Sequence, residues 1–244
     1  MEEFKSPEQV SITTRAAILE DLPILGKFLE RPEIDSLFVP PLSDPTSGIT
    51  IKDRVGKKME HGMWIIALRE GKVVGCMAVV PAKMEKEPHA PKEAKHISLG
   101  IFLEGWDKAK LWELSTVVVD KELTKSLRVK GIGKSLFEMA KKWVRDKGGQ
   151  QGLITDSWIG GEMGGFVMAM NRKDYHLHHP EKKTAPDTLM RIFSDPAKRG
   201  EDGPPSVIYG IPLDDIDWQY FEARQSSISD LRHEYERLEN EHSK

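Results

Sequence analysis

The segment that most constrains the fold runs from a strand-like stretch through a glycine-rich turn into a helix and a second strand. "KLWELSTVVVD" has three consecutive valines near its end, and "RVKGIGKS" follows after the seven residues "KELTKSL". The helix then presents one apolar face, formed by Leu136, Met139, Ala140 and Trp143. Gly148 and Gly149 end that helix, and "GLITDSW" follows as a strand. This order predicts a crossover connection in an α/β sheet.

Composition limits the class of protein. The chain has 244 residues, 39% of them hydrophobic, and a net charge of −3, so nothing favours a nucleic-acid partner. Cys76 is the one cysteine, which excludes a disulfide framework. The start "MEEFKSPEQV" does not read as a secretory signal, and no apolar run is long enough to span a bilayer. We expect a soluble cytoplasmic protein without a membrane partner.

The first part of the chain predicts a strand, two helices and a hairpin. "SITTR" reads as a short strand, and apolar residues recur at helical spacing in "AILEDLPILGKFLER". "TIKDRVGKKMEHG" favours a second, short helix. The runs Trp64–Leu68 and Val73–Val80 flank a turn around Glu70, Gly71 and Lys72, which is typical of a β-hairpin.

The rest of the chain gives weaker signals. "AKMEKEPHAPKEAKH" predicts an exposed loop and "ISLGIFL" an additional strand. Beyond Gly160 the apolar residues show no clear period until "TLMRIFS" and "SVIYGIP", which read as the last two strands. The tail from Asp214 to Lys244 predicts a helix. Its apolar residues have coiled-coil spacing, at Ile228, Leu231, Tyr235 and Leu238.

The glycine turn has two interpretations as a phosphate-binding loop. Gly133, Lys134 and Ser135 fit the end of the nucleotide loop G-x-x-x-x-G-K-[ST], but Arg128 stands where its first glycine belongs. The pattern R-x-x-G-x-G is complete, with Arg128, Gly131 and Gly133. The second interpretation therefore fits better, and a nucleotide hydrolase remains the weaker alternative.

This pattern, between a valine-rich strand and an amphipathic helix, resembles the pyrophosphate loop of the GNAT superfamily of N-acetyltransferases, which use acetyl-CoA. The opening "TRAAILEDLP" and the hairpin are similar to the same family. The resemblance implies an α/β (α+β) fold with a mixed central sheet of about six or seven strands, flanked by helices, and an extra C-terminal helix. It gives an N-terminal tail at 1–10, a GNAT-like domain at 11–212 with a loop insertion at 83–96, and a helical extension at 213–244.

The backbone of such a loop suits an anion on physical grounds alone. Gly131 and Gly133 permit positive φ and a close approach to an anion. We expect free N–H groups around Ile132, at Gly131, Gly133, Lys134 and Ser135. These groups form the positive end of the helix, which favours a diphosphate. Arg128 and Lys130 would add charge-assisted contacts.

The resemblance also implies where catalysis takes place. Backbone groups of Val117, Val118 and Val119 would bind the pantetheine arm, where the strand splays from its neighbour, and polarise the thioester. Glu113 resembles the general-base glutamate of the histone-acetylating branch. For the general acid the chain departs from the family pattern N-x-x-A-x-x-x-Y, since Asn171 is followed by "RKDYHLHH". Tyr175 is the nearest phenol, and His178 takes the tyrosine's place by count.

The acceptor and the partners stay open at this stage. We expect an amine on a small molecule or a protein, attacked without a covalent enzyme intermediate, and an acidic chain favours a cationic acceptor slightly. The departure at Asn171 supports an alternative, a catalytically weak or inactive GNAT-fold binding module. The histidines of "YHLHHP" alternate as strand neighbours would, but a solvated turn explains them better than a metal site. The C-terminal helix would either form a homodimer or dock on its own domain.

Overall fold

The computed structural model describes residues 11–35, 50–82, 106, 108–120, 131–193 and 205–243. Several predictions lie outside these residues, namely the N-terminal tail, the loop insertion, the strand "ISLGIFL", Arg128 and Lys130. The described strands are β1 Thr13–Ala16, β2 Met63–Arg69, β3 Lys72–Pro81, β4 Lys110–Val119, β5 Gln151–Trp158, β6 Leu189–Phe193 and β7 Ser206–Ile211. The described helices are α1 Leu22–Leu29, α2 Pro32–Asp35, α3 Ile51–His61, α4 Ile132–Asp146, α5 Glu162–His178, α6 Asp215–Ala223 and α7 Gln225–His242.

The strands form one mixed sheet in the order β1-β2-β3-β4-β5-β7-β6, which confirms the predicted α/β class. Contacts divide the chain into two compact units. The first comprises Met1–Val79 and Thr116–Ala140, and the second comprises Val80–Ser115 and Lys141–Lys244. None of the helices in the described ranges is both long and apolar enough to cross a membrane.

The first unit is built on the predicted hairpin. β2 pairs antiparallel with β3 from Met63 opposite Val79 to Arg69 opposite Lys72, and β1 pairs with β2 on its other edge. Glu70 and Gly71 both have positive φ, of 50° and 76°, which gives the tight turn that this hairpin requires. The buried core between these strands and the first three helices includes Leu25, Phe28, Val55, Trp64, Ile66, Cys76 and Val118.

The predicted short helix α3 has a defined start. Thr50 precedes it in an extended conformation, and its Oγ1 accepts a hydrogen bond of 3.1 Å from the Asp53 N–H. The Asp53 carboxylate accepts in turn from the Thr50 N–H, which completes a capping box. Ile51 and Val55 then fall on the buried face one turn apart.

The second unit combines a parallel and an antiparallel pairing. β4 pairs parallel with β5, from Lys110 opposite Gln151 to Glu113 opposite Ile154. β5 pairs antiparallel with β7, which pairs antiparallel with β6. The predicted crossover through α4 is therefore confirmed.

Helix α5 was not predicted from the sequence. It spans Glu162–His178, so His176 and His178 lie in a helix, neither alternating along a strand nor in the solvated turn that the sequence favoured. The helix lies against β5 and β7, where Gly164 donates its N–H to Ser157 Oγ at 3.0 Å. A Cβ at Gly164 would lie 3.1 Å from the Tyr209 ring, so a small residue is required at this contact.

The tail forms two helices instead of the single one predicted. Asp214 begins α6 by accepting a hydrogen bond of 2.9 Å from the Asp217 N–H, and Arg224 separates α6 from α7. On α7, Ile228, Tyr235 and Leu238 are buried. The Tyr235 hydroxyl accepts a hydrogen bond of 3.3 Å from the Gly160 N–H. Much of the apolar stripe of α7 is therefore covered within its own unit, and pairing between two copies through it stays a prediction.

Candidate active site

The glycine turn takes the form of a sharp bend immediately before α4. Gly131 has φ of +91° and is exposed, and the helix begins at Ile132. The first helical hydrogen bond runs from the Ser135 N–H to the Gly131 carbonyl at 2.9 Å. The expectation of two glycines with positive φ is wrong, because Gly133 lies inside the first turn of the helix.

Three backbone amides precede that first helical bond, those of Ile132, Gly133 and Lys134. No earlier turn of α4 offers them a carbonyl, so they form a positive helix end that suits an anion. The Ser135 N–H was also expected to be free, but it is the donor of the first helical bond. The Ser135 hydroxyl instead donates to Thr14 Oγ1 at 2.9 Å, where both groups are exposed.

The start of α4 lies close against β3. A Cβ added to Gly75 would lie 3.1 Å from Ile132 Cγ2, 3.1 Å from the Val118 carbonyl oxygen and 3.4 Å from Leu136 Cδ1. Ile132 and Leu136 are buried at this contact. The absence of a side chain at Gly75 therefore sets how closely the first turn of α4 approaches β3 and the end of β4.

The end of β4 is fixed by Asp120. Its backbone N–H donates to the Val74 carbonyl at 3.0 Å, and its buried carboxylate accepts a hydrogen bond of 2.7 Å from Arg31. Arg31 also binds Glu33 through Nε at 2.7 Å. The strand end that precedes the glycine turn is thus held from the α1–α2 junction.

Between two backbone hydrogen bonds that join them, the β4 segment is one residue longer than the β3 segment. The Ala82 N–H donates to the Leu111 carbonyl at one end, and the Asp120 N–H donates to the Val74 carbonyl at the other. These bonds bracket nine residue steps on β4 but eight on β3. In an antiparallel pair this mismatch is a β-bulge, a feature that redirects backbone groups and is frequent beside active sites.

The parallel ladder between β4 and β5 ends early. Its last pair is Glu113 opposite Ile154, although β4 continues to Val119 and β5 to Trp158. Beyond that pair, Val117 and Val119 are half-buried and Val118 is buried. Thr155 Oγ1 donates to the Leu114 carbonyl at 3.1 Å, so a side chain satisfies the first carbonyl after the ladder.

Two carboxylates lie where this ladder ends. Paired residues of neighbouring strands share a face and side chains alternate, so Glu113, Ile154 and Asp156 lie on the same face of the sheet. Glu113 is half-buried and Asp156 is exposed. The surrounding protein removes hydration from Asp156, and this desolvation, together with the charge of Glu113, raises the pKa of Asp156 to about 7. A backbone hydrogen bond at Ser157 acts in the opposite direction and lowers the pKa.

Sequence reasoning did not select Asp156. The signal was present, because "GLITDSW" places one carboxylate in a strand that is otherwise apolar or weakly polar. A charged residue at such a position is a candidate for a functional role.

Tyr175, the phenol selected from the sequence, belongs to a different cluster. It lies on α5, is 1% exposed, and donates its hydroxyl to Glu222 of α6. Burial, then that hydrogen bond, raises its pKa to about 12. Its ring packs 4.9 Å from that of Trp218 and 4.7 Å from that of His179. These contacts are those of a tyrosine that joins two helices, and its catalytic role stays a prediction.

His178 is largely exposed at the end of α5, with Nε2 3.7 Å from Asp174 Oδ1. Cys76 is fully buried on β3, and this burial raises the pKa of its thiol. In the part of the chain that the structure describes, no three histidine, cysteine, aspartate or glutamate side chains are grouped as a metal site.

The chain is similar to proteins of known family and structure. A family profile described as the acetyltransferase (GNAT) family matches residues 32–157. Among solved structures, a mutant agmatine N-acetyltransferase in its apo form has a TM-score of 0.55 at 16% identity, covering 82% of this chain and 99% of that chain. This similarity shows that the fold is shared.

Two further structures align over similar lengths. A GNAT-family acetyltransferase from Streptococcus pneumoniae has a TM-score of 0.46 at 15% identity, covering 82% of this chain and 98% of that one. The ribosomal-protein-S18-alanine N-acetyltransferase from Escherichia coli has a TM-score of 0.45 at 12% identity, covering 84% and 95%. No curated protein sequence matches the chain.

Proposed function

Because the chain belongs to the acetyltransferase (GNAT) family, we propose that it transfers the acetyl group of acetyl-CoA directly to an amine on a small molecule or a protein. Acetyl-CoA is the cosubstrate of that family, and the chain is accordingly an acyltransferase. The acceptor, and the residues that carry the reaction here, are the parts that we propose.

The observation that carries the proposal is the bend at Gly131 followed by the N-terminus of α4. The amides of Ile132, Gly133 and Lys134 precede the first helical bond, and they would bind the diphosphate of the coenzyme. Exposed Lys134 adds a positive charge on the same turn. Arg128 and Lys130, which complete the sequence pattern, would contribute further charge.

The backbone of β4 would hold the thioester. Its ladder with β5 ends at Glu113, six residues before Val119, and the strand bulges against β3. Backbone groups of Val117, Val118 and Val119 would then bind the pantetheine arm, and one amide among them would polarise the thioester carbonyl. Stabilising the developing oxyanion in this way is commonly the largest contribution to acyl transfer.

The reaction needs two proton movements. An acceptor ammonium first loses a proton to a carboxylate, for which Glu113 and Asp156 are the two candidates. The neutral amine attacks the carbonyl carbon, and the carbon–sulfur bond breaks as the tetrahedral intermediate collapses. The second proton leaves the nitrogen for the departing sulfur, directly or through water, so the products are the amide and coenzyme A.

A turnover experiment tests this function. The purified protein is incubated with acetyl-CoA and a panel of primary amines, including polyamines, aminoglycosides and peptides, while released thiol is measured. Amine-dependent release of coenzyme A is expected. Tight binding of acetyl-CoA without release on any amine would instead identify a binding module, and magnesium-dependent ATP binding would support a nucleotide hydrolase.

A further inference from the structure

We propose that Asp156 is the carboxylate that takes the proton from the acceptor's ammonium group, and that Glu113 acts as its acidic neighbour. This inference rests on the proposed N-acetyltransferase function. It assigns the general base to β5 instead of to Glu113 on β4, the residue to which the sequence points.

The position of Asp156 on β5 is the first argument. It lies two residues beyond Ile154, the last residue of β5 in the ladder with β4. On its other side β5 remains paired with β7, with Asp156 opposite the buried Ile208. The carboxylate thus stands where β5 has left β4 but is still held rigidly by β7.

The neighbours of Asp156 fix the direction of its side chain. Thr155 and Ser157 are both buried on the opposite face of the strand. Thr155 Oγ1 donates to the Leu114 carbonyl at 3.1 Å, and Ser157 Oγ accepts from the Gly164 N–H at 3.0 Å. Because both anchors lie on that face, Asp156 is directed to the other face, where it is exposed and within reach of an acceptor.

The charged groups around Asp156 suit a base that works near neutral pH. Glu113 on β4 shares its face, and Ile208 on β7 carries no charge. Arg191 pairs with Ile208 from β6 and so lies one strand farther away on that face. The Asp156 side chain reaches the surface, but the protein around it removes part of its hydration; this desolvation, then the Glu113 charge, raises the pKa of Asp156 to about 7. A general base is most effective when its pKa lies near the working pH.

The half-buried Glu113 also helps to attract the acceptor. When Asp156 is ionised, two negative charges lie on one face at the end of the β4–β5 ladder. An approaching ammonium group is attracted to this pair before it gives up its proton. Binding and deprotonation of the acceptor thus use the same two carboxylates.

The first test is a carbon-13 NMR titration of the Asp156 carboxyl in the full-length protein without ligands. A midpoint near neutrality, and a lower midpoint in Glu113→Gln, are expected. A midpoint at the ordinary aspartate value of about 4 would overturn the inference. This readout needs no turnover, so it stands apart from the test of the proposed function.

The second test is the pH dependence of kcat/KM on an amine that the protein accepts. Asp156→Asn should lower kcat/KM by about 10²–10⁴-fold and abolish the rise in rate through neutral pH, with binding of coenzyme A unchanged. Glu113→Gln should raise KM for the acceptor, lower kcat/KM by less than Asp156→Asn does, and shift that rise to lower pH. Asp146→Asn, at an exposed ion pair with Lys142 on α4, is the matched control and should behave as the native protein.

Two results would contradict the assignment. If Asp156→Asn keeps the native rate and pH profile while Glu113→Gln loses both, the base is Glu113. If no amine releases coenzyme A although Asp156 titrates near neutrality, the proposed function fails and the catalytic role of Asp156 fails with it, while the interaction of the two carboxylates is confirmed.

Discussion

Gly75 on β3 lies so close to Ile132 in the first turn of α4 that a Cβ at position 75 would be 3.1 Å from Ile132 Cγ2. The same Cβ would be 3.1 Å from the carbonyl oxygen of Val118, which belongs to the backbone and moves less easily than a side chain. A residue without a side chain on one strand therefore sets the position of the helix end that we propose binds the coenzyme.

Substitution Gly75→Ala should lower the free energy of unfolding by about 1–3 kcal/mol, because the added methyl overpacks the contact with α4. It should also weaken binding of coenzyme A, since the first turn of α4 must shift. The control is Gly56→Ala in the interior of α3, where a Cβ meets no atom within 4 Å. That change should stabilise the protein by about 0.5–1 kcal/mol. Chemical denaturation and calorimetry measure both effects, and unchanged binding in Gly75→Ala would contradict the account.

Substitution Tyr175→Phe should leave kcat unchanged and lower stability by about 1 kcal/mol, because it removes the hydrogen bond to Glu222. Steady-state kinetics and thermal unfolding separate the two effects. Glu222→Gln is the companion variant and should also retain kcat. A loss of kcat of about 100-fold in Tyr175→Phe alone would instead make Tyr175 the general acid.

Many of the regular elements could be predicted because their signals are local. The hairpin follows from alternating apolar runs on either side of Gly71, and α4 follows from its apolar face and from the terminating Gly148 and Gly149, which have φ of +69° and +67°. Helix α5 could not be predicted in this way. Its first turn contains adjacent Gly164 and Gly165, and its buried residues include Asn171 and Asp174, so its apolar period is blurred.

The candidate site was predicted only in part for a similar reason. The glycine turn is a contiguous pattern, so the sequence displays it directly. The environment of Asp156 depends on where the β4–β5 ladder stops and on Glu113, a residue more than forty positions earlier. The burial of Asp174 with Lys141, whose Nζ lies 2.5 Å from its Oδ2, is equally non-local.

Cys76 should take no part in catalysis. It is fully buried, and desolvation raises the pKa of its thiol, so little reactive thiolate forms. Cys76→Ala should keep the native kcat while losing about 1–2 kcal/mol of stability through the cavity it creates. Iodoacetamide should not inactivate the folded native protein. Rapid inactivation that Cys76→Ala prevents would indicate a covalent intermediate.

Asp156 should make stability depend on pH in an unusual direction. Its pKa is raised to about 7 in the folded protein, so the folded state binds the proton more tightly than the unfolded chain does. The stability attributable to Asp156 is therefore highest below the unfolded value of about 4 and falls as pH rises to about 7. Asp156→Asn should raise Tm more at about pH 8 than at about pH 4. An equal change in Tm at both values would contradict the raised pKa.

The central claim, that the N-terminus of α4 binds the diphosphate of acetyl-CoA, is tested most directly by titration calorimetry with coenzyme A. Gly131 and Gly148 bound the same helix, both have positive φ, and neither would meet an atom of the described residues within 4 Å if it carried a Cβ. Valine at either position should therefore impose a similar backbone strain of about 1–2 kcal/mol. Gly148→Val should bind coenzyme A as the native protein does, whereas Gly131→Val should bind it about tenfold more weakly or not at all. Equal affinity in both variants, or no heat of binding in the native protein, would contradict the account.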